Sequence, residues 1–590
     1  MCGIFAYVGE REAGPVVLRG LHNLEYRGYD SAGMVTITEG CLRIAKDAGG
    51  LHQVAEKHRL GQLPGRTGVG HVRWATHGAV TMANAHPHHD CHGRIALVHN
   101  GIIENHRELR ARLDGRHTFV SETDTEVICH LIEERMEQGL GLQEAVFEVS
   151  RELEGSYAIV AISADEPGKM VGMRKDSPLV VGVGRDGNFL ASDTISLLDE
   201  TDRVLYVDNG QGVVLSRDSV TIMDSQGRPV DQKPELITWR WDQAGKGGHD
   251  FYMLKEILEQ PEAVRKAIEQ DAEQIMEMAI GLLQARQVVF TACGTSRYAA
   301  LIGRYAFSKV GRKFSDVVMA SEFEYFSDSV DRNTLVIAVS QSGETADVIN
   351  GVRRAREQGA TIFSLVNVAG SSLARMSDKV LYLNCGPEIG VAATKSFLAQ
   401  LSIFYLIAFS MDNRLNEGMS RLRTIADLVE TNLHLNGQEV PRIARALRDR
   451  HDFYYIARGI NFATAGEGAL KMKEIAYVHA EGMPAGELKH GTLALVEQGT
   501  PVVAICPRDH TCAETLSNTA ETKARGAHVI GVSDHNDPMF DDWIKVPTVE
   551  EVFYPMVCVV PLQLLAYHSA TARDRDPDKP RNLAKSVTVK

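Results

Sequence analysis

The 590-residue sequence is poor in cysteine and lacks the spacings that give cysteine a structural job. Its nine cysteines are odd in number, scattered, and never set as C-x-x-C. That excludes a disulfide framework and fits free thiols in a reducing, cytoplasmic compartment. Long apolar runs are also missing: none approaches the roughly 18 residues of a membrane-spanning helix. The longest, "LSIFYLIAF" from Leu401, suits a buried helix. No basic region followed by an apolar core opens the chain, so no secretory signal is expected. Positive charge is in deficit: 63 Lys and Arg stand against 77 Asp and Glu, for a net charge of −14. This argues against nucleic acid or an anionic membrane as partner, although a local pocket can still take an anionic small molecule. A G-x-x-x-x-G-K-[ST] loop is absent too, so a nucleoside triphosphate is not indicated.

What is present is an ordinary globular composition, 44% hydrophobic and 24% charged, in a chain too long for one core. Three or so compact units are expected. The first 240 or so residues alternate short apolar runs ("IALVHNG", "SYAIVAIS", "SPLVVGVG", "RVLYVDNGQGVVLS") with Gly/Asn/Asp turns. Two helices are predicted there, "GPVVLRGLHNLEYRG" and "DTEVICHLIEERMEQG". In the second, Val127, Ile128, Leu131, Ile132 and Met136 share one apolar face. Stacked antiparallel sheets with helices outside, an αββα arrangement, follow from this texture. The Gly-Lys-Gly-Gly run in "WRWDQAGKGGHDFYM" reads as a linker over residues 239–250.

Beyond it the pattern becomes strand–turn–helix, the mark of a doubly wound parallel α/β sheet. The pattern then recurs: Gly294 pairs with Gly459 and Gly359 with Gly526, offsets of 165 and 167 by subtraction. A nearly constant offset argues for a duplicated domain. The expected division is 1–238, linker 239–250, 251–440, 441–580, and a tail of 581–590. The copies differ where chemistry would sit, since "SQSGET" in the first becomes "CPRDHT" in the second.

In the first copy "CGTS" (Cys293, Gly294, Thr295, Ser296) and "SQSGET" (Ser340, Gln341, Ser342, Thr345) each close a strand and open a helix. Hydroxyls and free amides at a helix N-terminus cradle a phosphate ester, and two such loops at strand C-termini converge on one ligand. Ordinary helix capping would use the same residue types. In the second copy Lys471 and Glu474, at i,i+3, face one way on a helix and His490 follows in a Gly-flanked turn. These are acid–base candidates set against the alternative of a solvated helix face. Lys585 lies in "LAKSVTV", read as an ordered strand, and is either a surface lysine or an active-site amine.

In the first half Cys2 sits directly behind Met1 and before an apolar strand. It is either a small buried residue or a nucleophile exposed once Met1 is removed. "HVRWATHG" gathers Arg73, Trp74, Thr76 and His77. Asn100 and the amide of Gly101 would make an oxyanion hole, or an Asn-Gly hairpin turn. Asp124 stands at a helix start, as a cap or as the partner of a substrate amine. The "AHPHHDCHG" loop holds His86, His88, His89, Cys91 and His92. It is too tight for all of them to hold one ion, and no distant second pair with ligand spacing is evident. No metal is expected.

"CGIFAYVG", "YRGYDSAG", "HVRWATHG", "VHNGIIENH" and "SETDTE" resemble the glutaminase domain of class II, N-terminal-nucleophile amidotransferases. "CGTS", "SQSGET", "EIGVAATK", "EGALKMKEIAYVHAEGMPAGELKHG" and "DKPRNLAKSVTV" resemble sugar isomerase (SIS) domains. In this order, over essentially the whole chain, they resemble the isomerising glutamine–fructose-6-phosphate aminotransferases. The resemblance implies synthesis of glucosamine 6-phosphate and glutamate from fructose 6-phosphate and glutamine, opening UDP-N-acetylglucosamine biosynthesis without a metal or organic cofactor.

It further implies Cys2 as nucleophile with its own α-amine as base, and Asn100 and Gly101 as oxyanion hole. Arg73, Thr76, His77 and Asp124 would hold glutamine, with Trp74 gating the ammonia path. Cys293, Gly294, Thr295, Ser296, Ser340, Gln341, Ser342 and Thr345 would hold the sugar phosphate, with Val391 nearby. Lys585 is implied as the imine-forming lysine, Glu474 as the C1–C2 proton carrier, and Lys471 as its helper. His490 is implied as the ring-opening group supplied by a neighbouring subunit of at least a dimer. His89, Cys91 and His92 fall outside the pattern. The competing readings are another class II amidotransferase, a non-catalytic sugar-phosphate sensor, and an aminotransferase or deglycase for another sugar phosphate.

Overall fold

The computed structural model describes residues 2–237 and 245–588. They fall into two compact units, 2–237 with 586–588, and 245–585. The linker expected over 239–250 lies partly outside the described residues.

The first unit is built on an eight-stranded and a seven-stranded sheet, whose pairings are antiparallel. Alternation in the strand Gly3–Gly9 explains how four layers assemble. Ile4, Ala6 and Val8 pack into a core with Ala96, Val98, Ala158 and Val160 of the other sheet. Phe5 and Tyr7, on the opposite face, pack on Val16, Val17 and Leu21 of the helix Ala13–His22. A period of two gives each strand two faces, and both are buried here. The outer face of the second sheet is covered by the helices Glu126–Glu137 and Leu142–Ser150, through Val127, Ile128, Leu131 and Ile132 among others. The expected αββα layering is observed.

The second unit holds two five-stranded parallel sheets. In space the first runs Asp316–Met319, Gln287–Ala292, Thr334–Ser340, Thr361–Val366, Lys379–Tyr382. The second runs His479–Pro484, Asp452–Ala457, Pro501–Ile505, His528–Ser533, Asp542–Lys545. Numbered within each copy, both orders are 2-1-3-4-5, so the duplication holds at the level of topology. Its glycine landmarks also match: φ is +51° at Gly294 and +57° at Gly459, and +86° at both Gly359 and Gly526.

Both sheets share one hydrophobic core, contributed largely by the helices Lys395–Met411 and Tyr554–Thr571. The second of these corrects the sequence reading, which found no segment near spanning length. Among the described residues it is the one helix long and apolar enough to cross a membrane. It carries Pro561 and is buried almost throughout inside the unit. Residues 581–588 form turns, bends and irregular chain, not the strand expected from "LAKSVTV", whose last residue lies outside the described residues.

Candidate active sites

In the first unit, Gly3 pairs with Val72, which brings Cys2 beside the end of the strand Thr67–Arg73. The Trp74 amide donates to Cys2 Sγ at 3.3 Å. Burial pushes the Cys2 thiol up, while this amide and the nearby Arg73 guanidinium pull it down. Asn100 and Gly101 lie within the strand Ile95–Ile103 and not in a hairpin turn. Asn100 Nδ2 donates to the Cys2 carbonyl at 3.0 Å. Gly101 has φ +130°, and a Cβ there would sit 2.0 Å from the Ser156 carbonyl. Only glycine fits this backbone.

His71 was quoted in "HVRWATHG" yet not singled out, and it orients Asn100. Its Nε2 lies 3.0 Å from Asn100 Oδ1. Burial pushes its pKa down to about 3, so the ring is neutral and donates from Nε2. The Asn100 amide is thereby fixed with its NH2 toward Cys2. His71 stacks on His86 at 4.1 Å, and His86 meets His88 edge-on at 4.7 Å. His86 and His99 both reach Thr125 Oγ1, at 3.1 and 3.0 Å. The histidines of this loop therefore divide: His86 and His88 are buried among neighbouring rings, while His89 bonds the Asp90 carbonyl and Cys91 turns elsewhere.

Arg73 donates to the carbonyls of His77, Gly78 and Ala79 and so ties down the turn after its strand. Trp74 packs edge-on to Tyr29 at 5.6 Å. Thr76 is exposed, and the His77 ring leans on His106. Asp124 is no helix cap: the cap position is Thr125, and the Asp124 carboxylate accepts the Ile103 amide at 2.8 Å. That bond joins the helix start to the strand bearing Asn100 and Gly101.

In the second unit, the strands Gln287–Ala292 and Thr334–Ser340 are neighbours, with Ala292 opposite Val339. Strand order reverses between them, so Cys293–Ser296 and Ser340–Thr345 sit at a topological switch point, where α/β sheets bind ligands. Neither Cys293 nor Thr345 caps its helix through a side chain. Ser340 Oγ instead faces Thr345 Oγ1 at 2.9 Å and accepts the Gly343 amide at 3.1 Å. Ser342 Oγ accepts the Glu344 amide at 3.2 Å, and Ser296 Oγ accepts from Gln400 at 2.9 Å. The Gln341 carbonyl accepts the Asn367 amide, and Val391 is buried with its amide on the Asp578 carbonyl.

Thr295 joins the two copies. Its Oγ1 donates to Glu467 Oε1 at 3.1 Å and accepts from Lys471 Nζ at 2.9 Å. Lys471 Nζ also lies 2.5 Å from Glu474 and 3.5 Å from Glu467. Lys471 is fully buried, which removes the solvated-face alternative. Despite burial, its pKa is raised by Glu467 and Glu474, so it remains an ammonium. Glu467, fully buried and not singled out in the sequence, is pushed up to about 8, chiefly by burial. Close helix packing makes this junction possible, because a Cβ on Gly466 would sit 2.2 Å from the Tyr298 ring.

Lys585 Nζ pairs with Glu388 Oε2 at 2.7 Å, and both side chains are buried. Burial opposes charge on Glu388, but Lys585 and the amides of Thr394 and Ser396 bring its pKa down to about 2. Glu388 opens the quoted "EIGVAATK" segment and was given no role there. Glu256 holds the same segment by accepting the Ile389 and Gly390 amides. His490 ends the turn Ala485–His490, is exposed, and its side chain makes no hydrogen bond or ion pair among the described residues.

An antiparallel sandwich with a cysteine beside an Asn-Gly pair, followed by two switch-point sheets, defines a class: a glutamine amidotransferase domain joined to paired SIS domains. Comparison agrees, since residues 71–199 match the glutamine amidotransferase domain family and residues 281–410 and 446–573 match the SIS domain family. Curated relatives extend over the full length. The glutamine–fructose-6-phosphate aminotransferase (isomerizing) of Methanothermobacter thermautotrophicus is 47% identical over 100% of both chains. That of Thermococcus kodakarensis is 46% identical, again over 100% of both. The solved C-terminal domain of glucosamine-fructose-6-phosphate aminotransferase from Francisella tularensis is 35% identical. It covers 57% of this chain and 99% of its own, with a TM-score of 0.53. The chain belongs to the glutamine–fructose-6-phosphate aminotransferase (isomerizing) family.

Proposed function

We propose that this chain converts fructose 6-phosphate and glutamine into glucosamine 6-phosphate and glutamate. The observation that carries the reading is the junction of Thr295, Lys471, Glu467 and Glu474. It connects the phosphate-cradle helix of one copy to the acid–base helix of the other.

Cys2, freed of Met1, attacks the glutamine side-chain amide, with its own α-amine taking the thiol proton. An α-amine has a pKa of about 7.7–8.0 in model compounds, so it acts near neutrality without a histidine. The oxyanion is received by Asn100 Nδ2 and the Gly101 amide, after Nδ2 leaves the Cys2 carbonyl it now holds. Ammonia leaves, and water later releases glutamate from the thioester. Arg73, Trp74, Thr76, His77 and Asp124 line the glutamine side, Asp124 offering its carboxylate to the substrate amine.

The sugar phosphate is anchored by Thr295, Ser296, Ser340, Gln341, Ser342 and Thr345, with the backbone of Cys293 and Gly294 and the Val391 segment completing the pocket. His490 opens the ring. Its exposure suits delivery to a neighbouring subunit, so we propose a homodimer at least. Lys585, once its ammonium has given up its proton, forms an imine at C2 with loss of water. Ammonia displaces Lys585, and Glu474 carries the proton from C1 to C2, positioned by Lys471. The chain works as a cytoplasmic enzyme on small molecules, in functional segments of 1–238, 251–440, 441–580 and 581–590.

The test is incubation of the purified full chain with both substrates. Glucosamine 6-phosphate and glutamate in equal amounts are expected. Glutamine hydrolysis without an aminosugar, or amination of a different sugar phosphate only, would overturn the proposal.

A further inference from the structure

One set of ligand-type side chains belongs to neither site. Cys91 comes from the turn after the strand His88–His89, His117 from the loop after the helix His106–Leu113, and His130 and Glu133 from the helix Glu126–Glu137. Their ligand atoms all lie within 4.8 Å of one another. We propose that Cys91, His117, His130 and Glu133 form a tetrahedral zinc site that staples the first unit behind its glutamine pocket.

The distances suit that ion. Cys91 Sγ lies 3.6 Å from His117 Nδ1 and 3.7 Å from His130 Nδ1. Zinc bonds of about 2.3 Å to sulfur and 2.0–2.1 Å to nitrogen, at a tetrahedral angle, separate the two ligands by about 3.6 Å. Glu133 Oε2 lies 2.9 Å from His117 Nδ1 and 3.0 Å from His130 Nδ1. The corresponding tetrahedral edge is about 3.3 Å, so each contact opens by only a few tenths of an ångström. A set of one thiolate, two imidazoles and one carboxylate selects zinc over magnesium or calcium, which take oxygen.

The surroundings match what metal ligands need from their neighbours. The Thr118 amide donates to Cys91 Sγ at 3.4 Å, favouring a thiolate. The Cys91 amide lies over the Glu133 carboxylate at 3.2 and 3.3 Å and fixes the turn. The outward nitrogen of each imidazole faces a carboxylate: His130 Nε2 is 3.7 Å from Glu126, and His117 Nε2 is 3.6 Å from Glu134. Glu126 is itself held by the Val120 and Ser121 amides at 2.8 Å. Both are ion-pair separations, and His130 Nε2 is buried with no hydrogen bond of its own; carboxylates that close on such a nitrogen orient zinc-bound rings. His130 and Glu133 are buried, whereas Cys91 is exposed and gives the ion a way in.

The "AHPHHDCHG" loop supplies only Cys91 to this cluster, and the other three side chains lie 26 to 42 residues on from it. The role is structural. The ion ties two segments, the Cys91 turn and the His117 loop, to the helix whose head carries Asp124 and Thr125, and these bond Ile103 and His99 of the Asn100–Gly101 strand.

The full-length chain, stripped with chelator, is titrated with Zn²⁺ against a chromophoric competitor. One equivalent per chain is expected. Loading with Co²⁺ should give intense tetrahedral visible bands and a sulfur-to-cobalt charge-transfer band that Cys91→Ser abolishes. Glu126→Gln, which removes the carboxylate facing His130 Nε2 and leaves all four ligands in place, should weaken Zn²⁺ binding about 10–100-fold. Zn²⁺ should raise the melting temperature of the stripped wild-type chain and leave that of a Cys91→Ser, His117→Ala double variant unmoved. No stoichiometric Zn²⁺ binding by the stripped wild type, or undiminished binding by the double variant with native circular dichroism, would overturn the proposal.

Discussion

Replacing Glu467 by glutamine isolates the most strongly perturbed carboxyl in the sugar-phosphate half. Glu467 is fully buried against Thr295 and Lys471, and burial raises its pKa from 4.5 to about 8. A carboxyl with a raised pKa holds its proton more tightly folded than unfolded. The stability this contributes is fully present below about pH 4.5 and is lost as pH rises through about 8. One pKa unit is worth about 1.4 kcal/mol, so three pH units inside that window cost the wild-type chain about 4 kcal/mol.

Glutamine keeps an acceptor for Thr295 and cannot ionise. Glu467→Gln should therefore match the wild type within about 1 kcal/mol near pH 5, since one neutral hydrogen-bonding group replaces another. Near pH 8 it should be the more stable chain by about 4 kcal/mol. Urea midpoints of both proteins across that range provide the assay, and taking their difference cancels the other titrating groups. Parallel profiles that never diverge by more than about 1 kcal/mol would show that Glu467 is ionised throughout. The account of the junction would then be wrong.

Cys2→Ala should abolish glutamine hydrolysis while sugar-phosphate isomerisation stays measurable, read by separate glutamate and aldose assays. Asn100→Ala should lower glutaminase kcat about 10²–10³-fold, as loss of one oxyanion donor does, with the isomerase half unchanged. Gly101→Ala places a Cβ 2.0 Å from the Ser156 carbonyl at φ +130°, so it should cost at least about 1–3 kcal/mol in thermal unfolding of the first unit. Borohydride added with fructose 6-phosphate should trap the sugar as a secondary amine on Lys585, located by peptide mass. Lys585→Arg should prevent the trapping.

Much of this architecture is legible in the sequence, because period-two alternation and strand–turn–helix recurrence are local patterns. The strand Gly3–Gly9 and the helix Glu126–Glu137 follow directly from them. The loops Cys293–Ser296 and Ser340–Thr345 were visible because glycine and hydroxyl residues mark strand ends that bind anions. What was not legible depends on meetings between distant segments. Glu467 reads as one more helical glutamate until Thr295, 172 positions away, is seen against it. Glu388 reads as a turn residue until Lys585, 197 positions on, is found paired to it. His71 lay inside a quoted motif, but its hold on Asn100 runs across the two sheets. "LAKSVTV" has the alternation of a strand, yet no sheet takes up its described residues, and Lys585 turns inward to Glu388 instead.

The most direct test of the central claim follows the nitrogen. The full chain is given fructose 6-phosphate and glutamine labelled with heavy nitrogen in the side-chain amide, in a buffer containing unlabelled ammonium. Transfer within one molecule predicts glucosamine 6-phosphate whose amine carries the label almost completely, as read by mass spectrometry. An amine drawn from the buffer ammonium, or no aminosugar at all, would contradict it.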